Sequence, residues 1–139
     1  MRGVNQDTLT AGVRRVRAEH AEDAEVSRRV ELAWLLGFYG PMLTDKQREA
    51  ASLYGEEDMS LGEIAQSLAV TRQAVHEMIL RAWEKMAAAE EKLHLAARFR
   101  DTEAGLIRCR EALRAGRLQE AETLLDNMIR REQEESNGL

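Results

Sequence analysis

Apolar positions in this chain recur at intervals of three and four residues and show no sustained alternation, so the pattern predicts helices and no strands. The most informative stretch is SLGEIAQSLAVTRQAVHEMILR, from Ser60 to Arg81. Ser60 and Glu63 stand at the S-x-x-E spacing of a capping box, which satisfies backbone N–H groups at a helix start. Ile64, Ala65 and Leu68 mark one face of a two-turn helix, and Ala69-Val70 follow as a turn. Thr71 is placed to cap a second helix, whose buried stripe is Val75, Met78 and Ile79. Counted from Leu61 as position one, apolar residues fall at positions four, eight, ten, fifteen and eighteen. Position five is the small Ala65, where two helices crossing steeply at a short turn need close approach. Position nine, where a tight turn favours glycine, is Ala69. The spacing predicts a helix-turn-helix.

The flanking pattern supplies elements to hold that unit. Residues 1–25 are polar, rich in Arg, Glu and Ala, and form a loosely helical or disordered arm carrying a small basic cluster, Arg14, Arg15 and Arg17. Val26 to Tyr39 is a strong helix with Val26, Val30, Ala33, Trp34 and Phe38 along one side, widened by Leu35, Leu36 and Tyr39. Gly40-Pro41 ends it. Thr44 and Gln47 make a second capping box for a helix that runs to Tyr54 and buries Ala50, Leu53 and Tyr54. Gly55 is expected as its left-handed cap, ahead of an acidic loop, Glu56 to Asp58.

From Thr71 to Arg100 no Gly or Pro interrupts the pattern. Val75, Ile79, Ala82, Met86, Ala89, Leu93 and Ala96 keep a seam at coiled-coil spacing along one long connecting helix. A seam that outruns its own small domain, together with an apolar first helix, predicts a homodimer. Residues 101–139 read as a helical hairpin about Gly116 and a polar tail. In it Leu106, Ile107 and Leu113 are expected to face Leu118, Ala121, Leu124, Leu125 and Met128. The run EALRAGRLQEAETLL is similar to half of a tetratricopeptide unit, and one such unit cannot bury its own face. The expected organisation is therefore an arm (1–25), a helix-turn-helix domain with its long helix (26–100) and a hairpin (101–139), all of it α-helical.

Composition narrows the function. With 44% hydrophobic and 32% charged residues, the 139-residue chain suits one helical domain with an extension. A net charge of −5 argues against indiscriminate duplex binding, which phosphate neutralisation drives. A single cysteine, Cys109, excludes an internal disulfide and fits a reducing, cytoplasmic setting. No apolar run reaches membrane-spanning length, so no membrane insertion is expected. His20, His76 and His94 lack partners at metal-ligand spacing, and neither a phosphate-cradling glycine loop nor a nucleophile elbow is present. The expectation is a non-enzymatic protein without metal or cofactor.

The binding candidates lie on the second helix of the helix-turn-helix. Its first-turn residues reach base edges in such motifs, and here they are Arg72, Gln73, His76 and Glu77. Arg bridges guanine and Gln bridges adenine. Arg81, one turn on, is placed to hold a phosphate, while Glu77 repels one. DNA, RNA and protein all stay open as partners of this face.

The segment from Glu31 to Phe99 resembles the YlxM family of small bacterial proteins. The matching pieces are LGFYGPMLTDKQREAASLYGEEDMSLGEIAQSLAVTRQAVHEMILRAWEKM and EEKLHL, about half the chain. Within them the helix-turn-helix is similar to region 4 of the σ70 factors, which reads the −35 promoter element. That resemblance implies a σ70 region 4-like core, with contact residues falling on Arg72, Gln73, His76 and Glu77. His76 stands where Arg is common there, and Glu77 where Gln is common, so local positive charge is lower. The YlxM resemblance implies an accessory or regulator of the signal recognition particle pathway, with the particle's RNA, its GTPase, or both as partners. The alternative is a sequence-specific DNA-binding transcriptional regulator.

Overall fold

A computed structural model describes the backbone of residues 6–138 and the side chains of residues 21–138. The basic cluster Arg14, Arg15 and Arg17 lies outside the described side chains. Among the described residues the chain forms six α-helices and one 3-10 turn, without a strand. They are α1 (Gln6–Tyr39), a 3-10 turn (Gly40–Met42), α2 (Asp45–Gly55), α3 (Leu61–Leu68), α4 (Arg72–Leu93), α5 (Leu95–Arg114) and α6 (Leu118–Asn137). Two compact units result, one ending at Glu91 and one beginning at Lys92.

In the first unit α1 packs on α2 and on the 3-10 turn, and α2 packs on α3. The buried face of α1 is Leu32, Leu35, Leu36 and Tyr39. Their i, i+3, i+4, i+7 spacing is one helical stripe. This corrects the expected stripe, because Val26 and Val30 are mostly exposed and Trp34 and Phe38 only half-buried. Trp34 and Phe38 meet edge to face, with ring centroids 5.2 Å apart. The docking of α2 chooses the phase. A Cβ at Gly55 would lie 3.2 Å from both the Arg29 carbonyl oxygen and the Ala33 nitrogen, so glycine lets the end of α2 approach the α1 backbone.

Gly55 is therefore not the left-handed cap that the pattern suggested. It closes α2 as its last helical residue, and the positive φ falls on Asp58, at 53°. Arg29 ties this corner together. Its Nη1 donates to the carbonyls of Tyr54 (2.7 Å) and Met59 (2.9 Å), and its guanidinium lies 3.9 Å from the Tyr54 ring centre. At the other end of α2, Thr44 and Gln47 complete both halves of the predicted capping box.

The long connecting helix is divided. α4 ends at Leu93, His94 takes left-handed backbone angles (φ 55°, ψ 27°), and α5 begins at Leu95. Val75, Ala82, Met86 and Ala89 are buried within the single chain, so the seam to that point does not require a second one. Leu93, the next seam residue, is about half exposed. Ala96, the last seam residue, is buried on α5, so the break falls between two buried positions, on a residue type that tolerates the left-handed region.

In the second unit α5 and α6 pack on each other around Gly116, whose φ is 76°. Their contact is built from small residues. Gly105, Cys109, Ala112 and Ala121 are buried, and a Cβ on Gly105 would lie 2.8 Å from the Met128 sulfur. Leu106, Ile107, Leu113, Leu118 and Leu125 do not form that contact as expected but stand exposed. Close helix approach favours residues with little side chain, whatever their hydrophobicity.

Candidate nucleic-acid interface

The helix-turn-helix is assembled by local rules before tertiary packing acts on it. Ser60 Oγ accepts from the Glu63 amide at 3.1 Å and starts α3. Ala69 ends that helix in the left-handed region (φ 54°, ψ 44°), and the Val70 amide returns to the Ala65 carbonyl at 3.0 Å. This six-to-one bond is the Schellman ending, which glycine usually serves. Thr71 Oγ1 then accepts from the Ala74 amide at 3.0 Å, so α4 begins one residue later. Thr71 and Arg72 thus stand where the spacing predicted a new helix.

Packing fixes the angle between the two helices. Ile64, Ala65 and Val75 form the buried centre, and Leu53, Tyr54, Met59, Leu61, Leu68 and Ile79 close around it. Val70, position ten of the apolar pattern, stays on the surface side of the turn.

With Val75 turned inward, the opposite side of α4 faces solvent. Arg72, Gln73, His76, Glu77 and Arg81 are all exposed. Arg72 and His76, and likewise Gln73 and Glu77, are one helical turn apart, so four of the candidates share one surface at the start of the helix. Arg81 lies 3.6 Å from Glu77, an i, i+4 ion pair between two exposed side chains. That pairing offsets the charge Arg81 would offer a phosphate and leaves Arg72 as the cation at the helix start. Leu80 is also exposed, one turn beyond His76 on the same side. Sequence reading passed over Leu80 because an apolar residue at helical spacing is assigned to a core by default. Only the position of Val75 shows which way Leu80 points.

The arrangement holds donors and one apolar contact above a rigid helix start, suited to a groove, a folded strand or a protein surface. Elsewhere, Glu56, Glu57 and Asp58 are exposed, and Cys109 is buried with its sulfur 4.0 Å from the Ala121 carbonyl oxygen. Among the described residues no three His, Cys, Asp or Glu side chains come together as a metal site, and no helix is long and apolar enough to cross a membrane.

Comparison with known proteins agrees with this geometry. Residues 26–128 match the model of the UPF0122 family, described as "helix-turn-helix protein, YlxM / p13 like". A UPF0122 protein of Bacillus pumilus is 36% identical over 104 residues, covering 74% of this chain and 94% of the relative. One from Halalkalibacterium halodurans is 40% identical over 88 residues, 63% of this chain and 81% of the relative. Another, from Lacticaseibacillus casei, is 44% identical over 75 residues, 54% of this chain and 66% of the relative. For the last, the match thus spans just under two thirds of the relative's length. On the extent of these matches the chain belongs to the YlxM / p13-like family of helix-turn-helix proteins.

Proposed function

We propose that the protein is a non-enzymatic, cytoplasmic accessory or regulator of the signal recognition particle pathway, which binds the particle's RNA, its GTPase, or both through the exposed face of α4. The observation that carries the binding reading is the exposure of Arg72, Gln73 and His76 together on a helix start held by the helix-turn-helix core. The resemblance to the YlxM family supports the pathway, and the similarity to σ70 region 4 supports the use of this face. The modest charge of the face supports a structured RNA or a protein over a long duplex, whose affinity scales with the phosphates neutralised. The homodimer belongs to the same proposal, carried by a different surface from the seam that first suggested it.

A second reading has its own support. Arg72 and Gln73 are adjacent, exposed and of the types that read guanine and adenine, as in a DNA-binding transcriptional regulator.

One titration separates the two. The protein is added, at one fixed physiological salt concentration, to labelled signal recognition particle RNA and to a labelled DNA duplex pool. The pathway reading expects saturable RNA binding with flat DNA, and roughly tenfold weaker RNA binding for Arg72→Ala. Enrichment of a DNA subset, with base preference lost in Arg72→Ala and Gln73→Ala, replaces it with the second reading. If both nucleic acids stay flat, the pathway's GTPase is titrated next, and no binding there overturns the proposal.

A further inference from the structure

The hairpin carries a surface that the recognition face does not use. Small residues on one side of each helix bring α5 and α6 together: Gly105, Cys109 and Ala112 from α5, and Ala121 from α6. One position further along each helix the residues are large. Leu106 and Leu113 follow Gly105 and Ala112, and Leu125 and Ile129 follow Leu124 and Met128. With Leu118 they are between 40% and 68% exposed. One residue is about 100° around a helix. In an antiparallel pair, the same sense of rotation on both helices leads to the same side. The two stripes therefore merge into one apolar face, and Leu106, Leu125 and Ile129 line a common cleft upon it. Leu106 and Leu113, like Leu118 and Leu125, are seven residues apart, the repeat that packs against further helices.

The charges at the edges of this face say what covers it. Gly105 lies against Met128, Cys109 against Ala121, and Arg98 pairs with Glu132 (3.2 Å) and Glu135 (2.7 Å). These contacts set the heights of the two helices. Arg110 is level with Glu122. Helical periodicity puts Arg110 on the α5 edge of the face and Glu122 on the α6 edge, while Arg130 reaches the Asn127 side chain (2.6 Å) on the far side of α6. At that height the two edges carry opposite charge. A two-fold axis parallel to the helices lays α5 of one copy on α6 of the other without changing height. It then sets Arg110 against the partner's Glu122, and Glu122 against the partner's Arg110 at the other edge. An apolar face whose two edges complement each other under a two-fold axis is self-complementary, as an isologous dimer requires.

The geometry points to this face as a homodimer interface, in which the hairpins of two chains form an intermolecular four-helix bundle. Sedimentation equilibrium of the full chain tests it. The wild-type chain is expected to be dimeric at micromolar concentration. Leu106→Lys with Leu125→Lys is expected to weaken the dimer at least tenfold, with the far-UV helical signal unchanged because both side chains are exposed. Arg110→Glu and Glu122→Arg are each expected to weaken it several-fold at low salt, and together to restore it. A monomeric wild-type chain overturns the proposal and leaves the face to another partner. A dimer indifferent to the lysine pair also overturns it, and charge variants that fail to rescue one another overturn the two-fold register. None of these substitutions touches α4, so nucleic-acid or GTPase binding can fail while the dimer stands, and the reverse.

Discussion

In the helix-turn-helix unit Ile64, Val75 and Met86 have no exposed surface, and the residues left outside at the start of α4 are mainly polar. The hairpin reverses this. Its internal contact is made by Gly105, Cys109, Ala112 and Ala121, while Leu106, Leu118 and Ile129 are more than half exposed. The first unit buries its largest core side chains completely, although Val26 and Val30 stay outside it, and the start of α4 presents charge and hydrogen-bond donors. A pair of helices has no third layer, so the more tightly the two approach, the more of their large side chains must face outward. The two units therefore present different surfaces, polar at the start of α4 and apolar along the hairpin.

Six substitutions test that contrast. The largest effect is expected for Ile64→Ala, which removes a fully buried side chain from the centre of the helix-turn-helix. It should lower stability by about 2–5 kcal/mol in urea unfolding. Leu106→Ala, measured on dilute protein, should change stability by no more than about 0.5 kcal/mol, since its side chain is already half exposed. Equal losses for the two would break the comparison.

Next is Gly105→Val. Its added carbons meet the Met128 side chain, so the hairpin should lose about 1–3 kcal/mol in thermal unfolding while the helix-turn-helix is spared. Arg29→Met should cost the first unit about 1–3 kcal/mol, because the Tyr54 and Met59 carbonyls lose a donor that is itself mostly buried. Unfolding followed by urea checks it, and a loss below about 0.5 kcal/mol would mean that water replaces the guanidinium.

The smallest effect compares two helix endings of the same kind. At Gly116 the Arg117 amide returns to the Ala112 carbonyl at 2.8 Å, just as the Val70 amide returns to Ala65 after Ala69. Both turn residues are left-handed, one a glycine and one an alanine. Ala69→Gly should therefore stabilise the protein by about 0.5–1 kcal/mol, and Gly116→Ala should destabilise it by about the same amount. Matching melting shifts of opposite sign are the expected readout.

The parts legible in the sequence are those governed by neighbours along the chain. Thr44, Ser60 and Thr71 accept the bonds that their spacing predicted, although Ser60 and Glu63 show only the Ser60 half of a reciprocal box. Ala69 turns where a glycine was the usual choice, and the recognition-face residues emerge together because Val75 and Ile79 are anchored in the core. Phase was harder to read. Between Val26 and Tyr39 apolar residues occupy more than half of the helix circumference, so several stripes fit and only the packing of other elements on α1 selects Leu32, Leu35, Leu36 and Tyr39. The hairpin was misjudged for a related reason. A hydrophobic pattern ranks leucine above glycine, whereas the helix contact selects for the absence of a Cβ.

The amino-acid sequence by itself determined an all-helical chain, the caps and turn of its helix-turn-helix, and which residues begin the recognition helix. Each follows from backbone hydrogen bonding within a few residues. Tertiary structure alone decided which face of α1 is buried, that the long helix breaks at His94, that Glu77 and Arg81 offset each other, and that the hairpin's leucines look outward. Those outcomes depend on which surfaces meet, and periodicity supplies a face without supplying its partner.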